Sequence, residues 1–205
     1  MKNKNIIIGI CGGTCSGKTT IATKLHKSLN DRAVYISQDS YYKNQSHLTA
    51  EEIQAHNFDH PESLELSLLQ QHVQQLKNNK KIQVPTYCFK SHSRKDDFQI
   101  INPAAIIIVE GILIFSDEKL RQSFDVRIFV DIEPDIRLIR RIKRDVLERG
   151  RDLNSIIEQY LSTVKPMHDE FVESQKIESD LVINSGSLED QYALLERYLS
   201  MREVL

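Results

Sequence analysis

The chain has 205 residues, and its 27 basic side chains face 29 acidic ones, which leaves a net charge of -2 at pH 7. This length suits one α/β domain, and the charge balance excludes a protein that binds nucleic acid or an anionic membrane through overall charge. No apolar run approaches the roughly 18 residues of a membrane-spanning helix. The cysteines Cys11, Cys15 and Cys88 are odd in number and form no C-x-x-C pair, which indicates reduced thiols and a cytoplasmic protein.

The first predicted strand, residues 6–10, leads into the loop Gly12–Thr19, which fits the phosphate-loop pattern G-x-x-x-x-G-K-S/T at every fixed position. A helix follows, because apolar residues recur at helical spacing from Ile21 onward. In such a unit the backbone N–H groups and the helix N-terminus bind the phosphates of a nucleoside triphosphate. Lys18 would reach the β- and γ-phosphates, and the Thr19 hydroxyl would ligate Mg²⁺. The residues expected to hold the triphosphate are Gly12, Gly13, Thr14, Cys15, Ser16, Gly17, Lys18, Thr19 and Thr20.

The rest of the chain alternates between predicted strands and helices. The further segments predicted as core strands are 33–37, 105–111, 126–131 and 181–183. Helices are predicted after the capping box Thr49–Glu52, along the apolar stripe 66–76, from Pro134, over 153–164, and after the cap Ser187. This alternation predicts an α/β fold with a wound parallel sheet in a single domain, residues 1–205.

Residues 80–101 interrupt the alternation. The β-prone segments 82–87 and 98–101 flank the polar stretch 91–96, and Pro85 argues for an exposed edge. We therefore predict a β-hairpin inserted into the α/β core, here named the flap.

Tyr87, Phe89 and His92 cluster within the flap. Two aromatic faces and a hydrogen-bonding ring suit the stacking and edge recognition of a planar base, whereas the alternative is packing against the core. His56 and His60 have a spacing that could bind zinc on a helix, but Pro61 follows them and no third ligand is evident.

Two acidic residues follow predicted strands at the carboxyl edge of the sheet, where open α/β folds bind ligands. Glu110 ends an apolar strand and is the carboxylate expected to hold Mg²⁺ beside Thr19, the alternative being a helix cap. Asp39 is the candidate base for the acceptor hydroxyl's proton in phosphoryl transfer, the alternative being an Asx turn with Ser40.

Basic residues are concentrated between Arg137 and Arg151. At 100° per residue, one face of the predicted helix carries Arg137, Arg140, Arg141 and Arg144, and the other carries Ile136, Ile139, Ile142 and Val146. For Arg137 and Arg140 we predict a solvated face, with ion pairs to Asp145 and Glu148. The residues predicted to clamp a transferring phosphoryl group are Arg141, Arg144, Arg149 and Arg151.

These motifs, in this order, resemble the uridine kinase (uridine-cytidine kinase) family over nearly the whole chain. The matching segments are 12–20, 37–42, 57–61, 85–87 with Phe89 and 92–94, 109–113 and 140–151. The resemblance implies a P-loop kinase with Mg²⁺ that uses ATP or GTP to phosphorylate the 5′-hydroxyl of uridine and usually cytidine in pyrimidine salvage. It also implies a five-stranded parallel sheet, a helical lid and a homotetramer.

The resemblance assigns roles to matching positions. Asp39 is the base, and Asp59 and Arg141 bind the ribose hydroxyls. The nucleoside pocket is lined by Tyr42, Phe58, Tyr87 and Phe89, with His92 and Gln159 on the base. An arginine-rich lid, residues 141–151, places Arg144, Arg149 and Arg151 around the phosphates. Cys88 departs from the family pattern, because many relatives have a polar residue between the two aromatic residues.

Two other classes of protein share the phosphate loop. A GTPase switch usually carries N-K-x-D and D-x-x-G motifs after the loop, and neither occurs here. A phosphoribulokinase- or pantothenate-kinase-like enzyme is the closer alternative, but the aromatic residues of the flap favour an acceptor that bears a base.

Overall fold

The computed structural model describes residues 5–89, 91–184 and 186–205. The strands are β1 (Ile6–Gly12), β2 (Ala33–Ser37), β3 (Ile82–Cys88), β4 (Ser93–Ile101), β5 (Ile106–Gly111), β6 (Val126–Val130) and β7 (Leu181–Ile183). The α-helices are α1 (Lys18–Leu29), α2 (Ala50–Ala55), α3 (Leu66–Lys77), α4 (Glu118–Arg121), α5 (Pro134–Leu147), α6 (Leu153–Gln159), α7 (Lys165–Met167) and α8 (Leu188–Met201). No helix in the described ranges is long and apolar enough to span a membrane.

The core is a five-stranded parallel sheet in the order β2-β5-β1-β6-β7. β1 is central, and its Ile8 pairs with Ile108 of β5 on one side and Val126 of β6 on the other. The predicted wound parallel sheet is thus confirmed. Since the connections leave the adjacent strands β1 and β5 in opposite directions across the sheet, to β2 and β6 respectively, the loop after β1 lies at the switch point where open α/β folds bind ligands.

Successive side chains of β1 enter two different cores, as the two-residue period of a strand requires. Ile7 and Cys11 pack against the side of the sheet covered by α3, whereas Ile8 and Ile10 pack against the side covered by α1 and α8. Both faces of the sheet are therefore covered, which explains why its strands are largely apolar.

The flap is a separate two-stranded antiparallel hairpin of β3 and β4, with a register shift between Pro85 and Tyr87. Its base is buried through Ile82 and Ile101. β4 begins at Ser93, so the prediction that the polar stretch 91–96 only connects the strands is wrong. Most of β4 is solvent-exposed, and polar residues are accommodated there without a core-facing pattern.

The helix predicted over 153–164 continues well beyond its expected end. After α6 it passes through π-helical turns at Tyr160–Val164 and His168–Val172, and it ends in a 3₁₀ segment, Glu173–Glu178. This helical run packs against the side of the sheet that α3 also covers, where Val172 and Gln175 are buried. The predicted capping box at Thr49 and the predicted cap at Ser187 are both present.

Candidate active site

The phosphate loop connects the end of β1 to the start of α1. Gly12 has a φ of 151°, and a Cβ there would lie 2.5 Å from the Val130 carbonyl oxygen, so only glycine fits. Gly17 caps α1 with a φ of 97° and has no side chain to cap the first turn, where the one side-chain contact among the described residues is a long 3.4 Å bond from the Lys18 N–H to the Ser16 hydroxyl. The first N–H groups of α1 are thus available to an anion, as a phosphate cradle requires.

Glu110 lies beside this loop on the neighbouring strand β5 and is only 2% exposed. Its carboxylate accepts hydrogen bonds from three hydroxyls: Thr19 at 3.0 Å, Tyr35 at 2.9 Å and Ser37 at 2.7 Å. Burial, reinforced by the charge of Glu110, raises the pKa of the Tyr35 phenol far above its usual range, so Tyr35 remains a donor. A charge this deeply buried needs such partners.

The Thr19 hydroxyl and the Glu110 carboxylate together offer the hard oxygen atoms that Mg²⁺ prefers, and Mg²⁺ usually keeps several waters besides. The two residues therefore fit a magnesium ion. The alternative of a helix cap does not apply, because β5 continues through Glu110 to Gly111.

Asp39 lies in the short turn that follows β2, where the Ser37 hydroxyl accepts a hydrogen bond from its backbone N–H at 3.3 Å. Asp39 is exposed to solvent by surface area, although many protein atoms lie around its carboxyl group and reduce its hydration. This loss of hydration, followed by repulsion from Glu110, raises the pKa of Asp39 to about 6, while Lys18 and the lid arginines oppose the shift. A carboxylate with such a pKa is a better proton acceptor than an ordinary aspartate.

The aromatic residues predicted to line a nucleoside pocket do meet. Tyr42 contacts Tyr87 and Phe89 with ring centroids 5.3 and 6.2 Å apart, and Phe58 stacks on His92 at 4.8 Å. Loss of hydration, followed by Asp39 and Asp59, raises the Tyr42 pKa well above its usual range. Both carboxylates therefore lie near the Tyr42 ring.

His92 projects from the flap with a φ of 48°. Partial burial, followed by the charges of His56 and Arg151, lowers its pKa, so its ring is neutral at pH 7. A neutral imidazole offers one donor and one acceptor, which suits the edge of a base.

The two predicted residues Arg141 and Gln159 contact each other. Arg141 donates to the Thr14 hydroxyl of the phosphate loop at 3.2 Å and to the Gln159 side-chain oxygen at 2.9 Å. Arg151 donates to the same oxygen at 2.7 Å. Burial raises the pKa of Asp59, and the nearby charge of Arg141 opposes this rise, so the two residues expected to bind the ribose lie near each other.

The prediction that Arg137 lies on a solvated face is wrong. Arg137 is 3% exposed, donates to the Ile132 carbonyl at 2.9 Å and contacts His168 at 3.1 Å. It packs against Gly13 of the phosphate loop. Arg140 is exposed, as predicted, although its guanidinium reaches the Ser16 carbonyl at 3.4 Å. The buried face of α5 is thus the basic one, because the loop and the helical run supply hydrogen-bond acceptors.

The flap is tied by Arg94 to the turn after β2 and to the start of α3, and sequence reasoning did not single out this arginine. Its guanidinium donates to the carbonyls of Tyr42 at 3.0 Å and Tyr41 at 3.3 Å, and it pairs with Glu65 at 2.7 Å. Arg149 lies over the Phe89 ring at 5.8 Å and so connects lid and flap. The strand-end hydroxyls of Tyr35 and Ser37 and the buried Asp145 were also missed, since only their three-dimensional neighbours reveal them.

His56 and His60 point to different partners. The His56 ring packs on Phe58 at 4.6 Å, whereas His60 packs on Phe171 at 5.0 Å and accepts from the Glu62 backbone. No group of three or more His, Cys, Asp or Glu side chains that could hold a metal occurs in the described part of the chain.

Comparison with known proteins gives a consistent result. The model of the "Phosphoribulokinase / Uridine kinase family" matches residues 7–191. The uridine kinase of Alkaliphilus metalliredigens is 48% identical over 185 residues, which cover 90% of this chain and 89% of that protein. The uridine kinase of Limosilactobacillus reuteri is 43% identical over 201 residues, which cover 98% and 92%.

Solved structures agree on the fold. Phosphoribulokinase from Rhodobacter spheroides superposes with a TM-score of 0.67 at 17% identity, covering 89% of this chain and 71% of that one. D-glycerate 3-kinase from Cryptococcus neoformans superposes with a TM-score of 0.63 at 15% identity, covering 88% and 86%.

Proposed function

Because the chain belongs to the phosphoribulokinase and uridine kinase family, we propose that it is a kinase for uridine and cytidine. It transfers the γ-phosphate of ATP or GTP to the 5′-hydroxyl of the nucleoside and so forms UMP or CMP in pyrimidine salvage. The observation that carries this proposal is the aromatic cleft of Tyr42, Tyr87 and Phe89 beside Asp39 and the phosphate loop.

The donor's phosphates lie in the loop Gly12–Thr20, and Lys18 neutralises the β- and γ-phosphates. Thr19 and Glu110 would hold Mg²⁺, which when bound neutralises phosphate charge and orients the oxygens. Lid arginines Arg144, Arg149 and Arg151 supply further positive charge where it develops in the transition state.

Asp39 accepts a hydrogen bond from the acceptor's 5′-hydroxyl and aims its oxygen at the γ-phosphorus. As the bond from that phosphorus to the donor's bridging oxygen breaks, the bond to the 5′-oxygen forms. The hydroxyl proton passes to the Asp39 carboxylate, and the nucleoside diphosphate leaves with the electron pair of the broken bond.

Acceptor recognition is divided between two groups of residues. Asp59 and Arg141 bind the ribose hydroxyls, and His92 with Gln159 binds the base edge. The base stacks among Tyr42, Phe58, Tyr87 and Phe89. Arg141 and Gln159 already bond each other at 2.9 Å, so nucleoside binding exchanges or extends that contact.

The principal alternative is a related P-loop kinase for a small non-nucleoside acceptor, such as a phosphoribulokinase- or pantothenate-kinase-like enzyme. The acceptor wall is lined by the contacting aromatic rings of Tyr42, Phe58, Tyr87 and Phe89, which suit a planar base, whereas a sugar phosphate has no face to stack on them.

A direct test incubates the purified protein and Mg²⁺ with ATP or GTP and a panel of uridine, cytidine, adenosine, guanosine, ribulose 5-phosphate and pantothenate. We expect UMP and CMP as products. Phosphorylation of a non-nucleoside alone, or donor hydrolysis without any phosphorylated acceptor, would overturn the proposal.

We also propose that the chain acts in the cytoplasm as a homotetramer. Apolar side chains remain exposed on α5 and the following helical run, namely Ile136, Ile139, Val146, Leu147, Leu153, Ile157 and Leu161. Such surfaces usually mark protein contacts. Light scattering of the purified protein should give four times the mass of the 23.7 kDa chain, and a monomer would contradict the assignment.

A further inference from the structure

A single buried carboxylate, that of Asp145, lies at the centre of the arginine-rich lid. Asp145 is 0% exposed. Its Oδ1 lies 2.8 Å from Arg144 Nε and 3.4 Å from Arg149 Nη1. Its Oδ2 lies 3.5 Å from Arg151 Nη1 and 3.8 Å from Arg141 Nε.

These four arginines share very few acceptors. Within residues 5–89, 91–184 and 186–205, Asp145 is the only carboxylate in ion-pair distance of any of them. Gln159 adds one neutral oxygen, which Arg141 and Arg151 share. Within ion-pair distance, one negative charge thus faces four positive charges, and the cluster keeps an excess of positive charge for an anionic ligand.

The contacts to Asp145 are uneven. Only Arg144 makes a short hydrogen bond, while Oδ2 and Arg141 Nε are buried without a hydrogen-bond partner. A buried carboxylate oxygen without a hydrogen bond is costly, and a purely structural salt bridge would be expected to satisfy it. The arrangement instead spaces guanidinium groups that would otherwise repel one another.

We propose that Asp145 is a positioning residue for phosphoryl transfer, an inference that rests on the proposed function. Its carboxylate holds Arg144, Arg149 and Arg151 on the phosphate side of the cleft and Arg141 on the ribose side. The four guanidinium groups then keep fixed positions relative to one another. Asp145 thereby orients both the arginines that bind the donor's phosphates and the arginine that binds the acceptor's ribose.

The first test replaces Asp145 by the isosteric, neutral Asn. We expect kcat for UMP formation to fall by about 10- to 100-fold, because small misplacements of orienting groups have effects of that order. Binding of inorganic tripolyphosphate, measured by calorimetry, should be unchanged or tighter, because the cluster gains net positive charge. Glu148→Gln removes one negative charge from an exposed neighbouring position and should leave both quantities unchanged.

A double-mutant cycle separates positioning from simple support of the fold. If Asp145 acts through the lid, Asp145→Asn added to Arg144→Ala/Arg149→Ala, the variant that lacks both arginines paired with Oδ1, should change kcat by less than about threefold relative to that double variant. If Asp145→Asn alone is insoluble, the triple variant can still be compared with the double variant. The triple variant carries fewer cations that repel one another, so it should stay soluble, and the same small change in kcat would support the proposal.

Two results for Asp145→Asn alone would overturn the inference: an unchanged kcat, or tripolyphosphate binding that weakens in parallel with kcat. For the triple variant, the overturning result is a full additional loss of kcat, or a loss of solubility, relative to the double variant. Absence of UMP formation by the wild-type protein would instead refute the proposed function. The tripolyphosphate measurement and the solubility comparison would still decide whether Asp145 organises the arginines.

Discussion

Asp39 is the residue whose role can be tested most directly, through the pH dependence of turnover. Loss of hydration and the charge of Glu110 raise the pKa of Asp39 to about 6, so the carboxyl group keeps its proton to a higher pH than a free aspartate. The base form is therefore lost as the pH falls through this value. The ionised fraction falls about tenfold between pH 7 and pH 5, and kcat/KM for uridine should fall by the same factor.

Asp39→Asn removes the base but keeps the shape of the side chain. We expect kcat to fall by about 10²-fold or more while triphosphate binding persists. The acidic limb of the pH profile, which is the decline of activity near pH 6, should be absent from the remaining activity. A coupled assay of nucleoside diphosphate release, repeated from pH 5 to pH 8, measures both effects. Asp96→Asn, an exposed substitution on β4, is the matched control and should keep the wild-type profile.

The role of Asp39 as the base is refuted if Asp39→Asn turns over at a near-normal rate. It is also refuted if the limb persists in Asp39→Asn and vanishes in a His92 variant, since the neutral His92 ring also gains a proton as the pH falls.

Three further substitutions test other parts of the site. His92→Ala should raise KM for the nucleoside much more than KM for the triphosphate, and equal effects on both in steady-state assays would contradict its place at the base. Glu110→Gln should raise the Mg²⁺ concentration needed for half-maximal activity by about tenfold or more, whereas the exposed Glu118→Gln should not; an unchanged Mg²⁺ titration excludes Glu110 as a ligand. Arg94→Ala removes three contacts of the flap, so the free energy of unfolding in urea should fall by about 1–3 kcal/mol and KM for the nucleoside should rise. Lys95→Ala is its exposed control, and identical behaviour of the two variants would show that Arg94 does not hold the flap.

The sheet could be predicted because its signals are local. Apolar runs at 6–10 and 105–111 already indicate strands covered on both faces, and the glycine pattern between Gly12 and Thr19 specifies a strand-loop-helix unit without any knowledge of distant residues. The positions of Asp39 and Glu110 follow from the same signals, because parallel strands end at one edge of the sheet.

The parts that could not be predicted depend on partners distant in sequence. Glu110 is stabilised by hydroxyls from β2, 73 and 75 residues away, and Arg94 is bound by backbone carbonyls 52 and 53 residues away. Asp145 was noticed only as a surface ion-pair partner, since helical spacing cannot show that the lid turns back over it.

The prediction that Arg137 is solvated was wrong because α5 buries its basic face and exposes part of its apolar face. An amphipathic helix normally buries its apolar face, yet in α5 Arg137 and Arg141 are buried while Ile139 is 49% exposed. Burying guanidinium groups is unfavourable unless something offsets it, and exposing isoleucine is unfavourable until the homotetramer contact proposed above covers it. Carbonyl, imidazole and amide acceptors from Ile132, His168 and Gln159 offset part of the first cost. The uncompensated positive charge that remains faces the phosphate loop, so the inverted orientation of α5 is itself evidence that this face is built for a phosphate-bearing ligand.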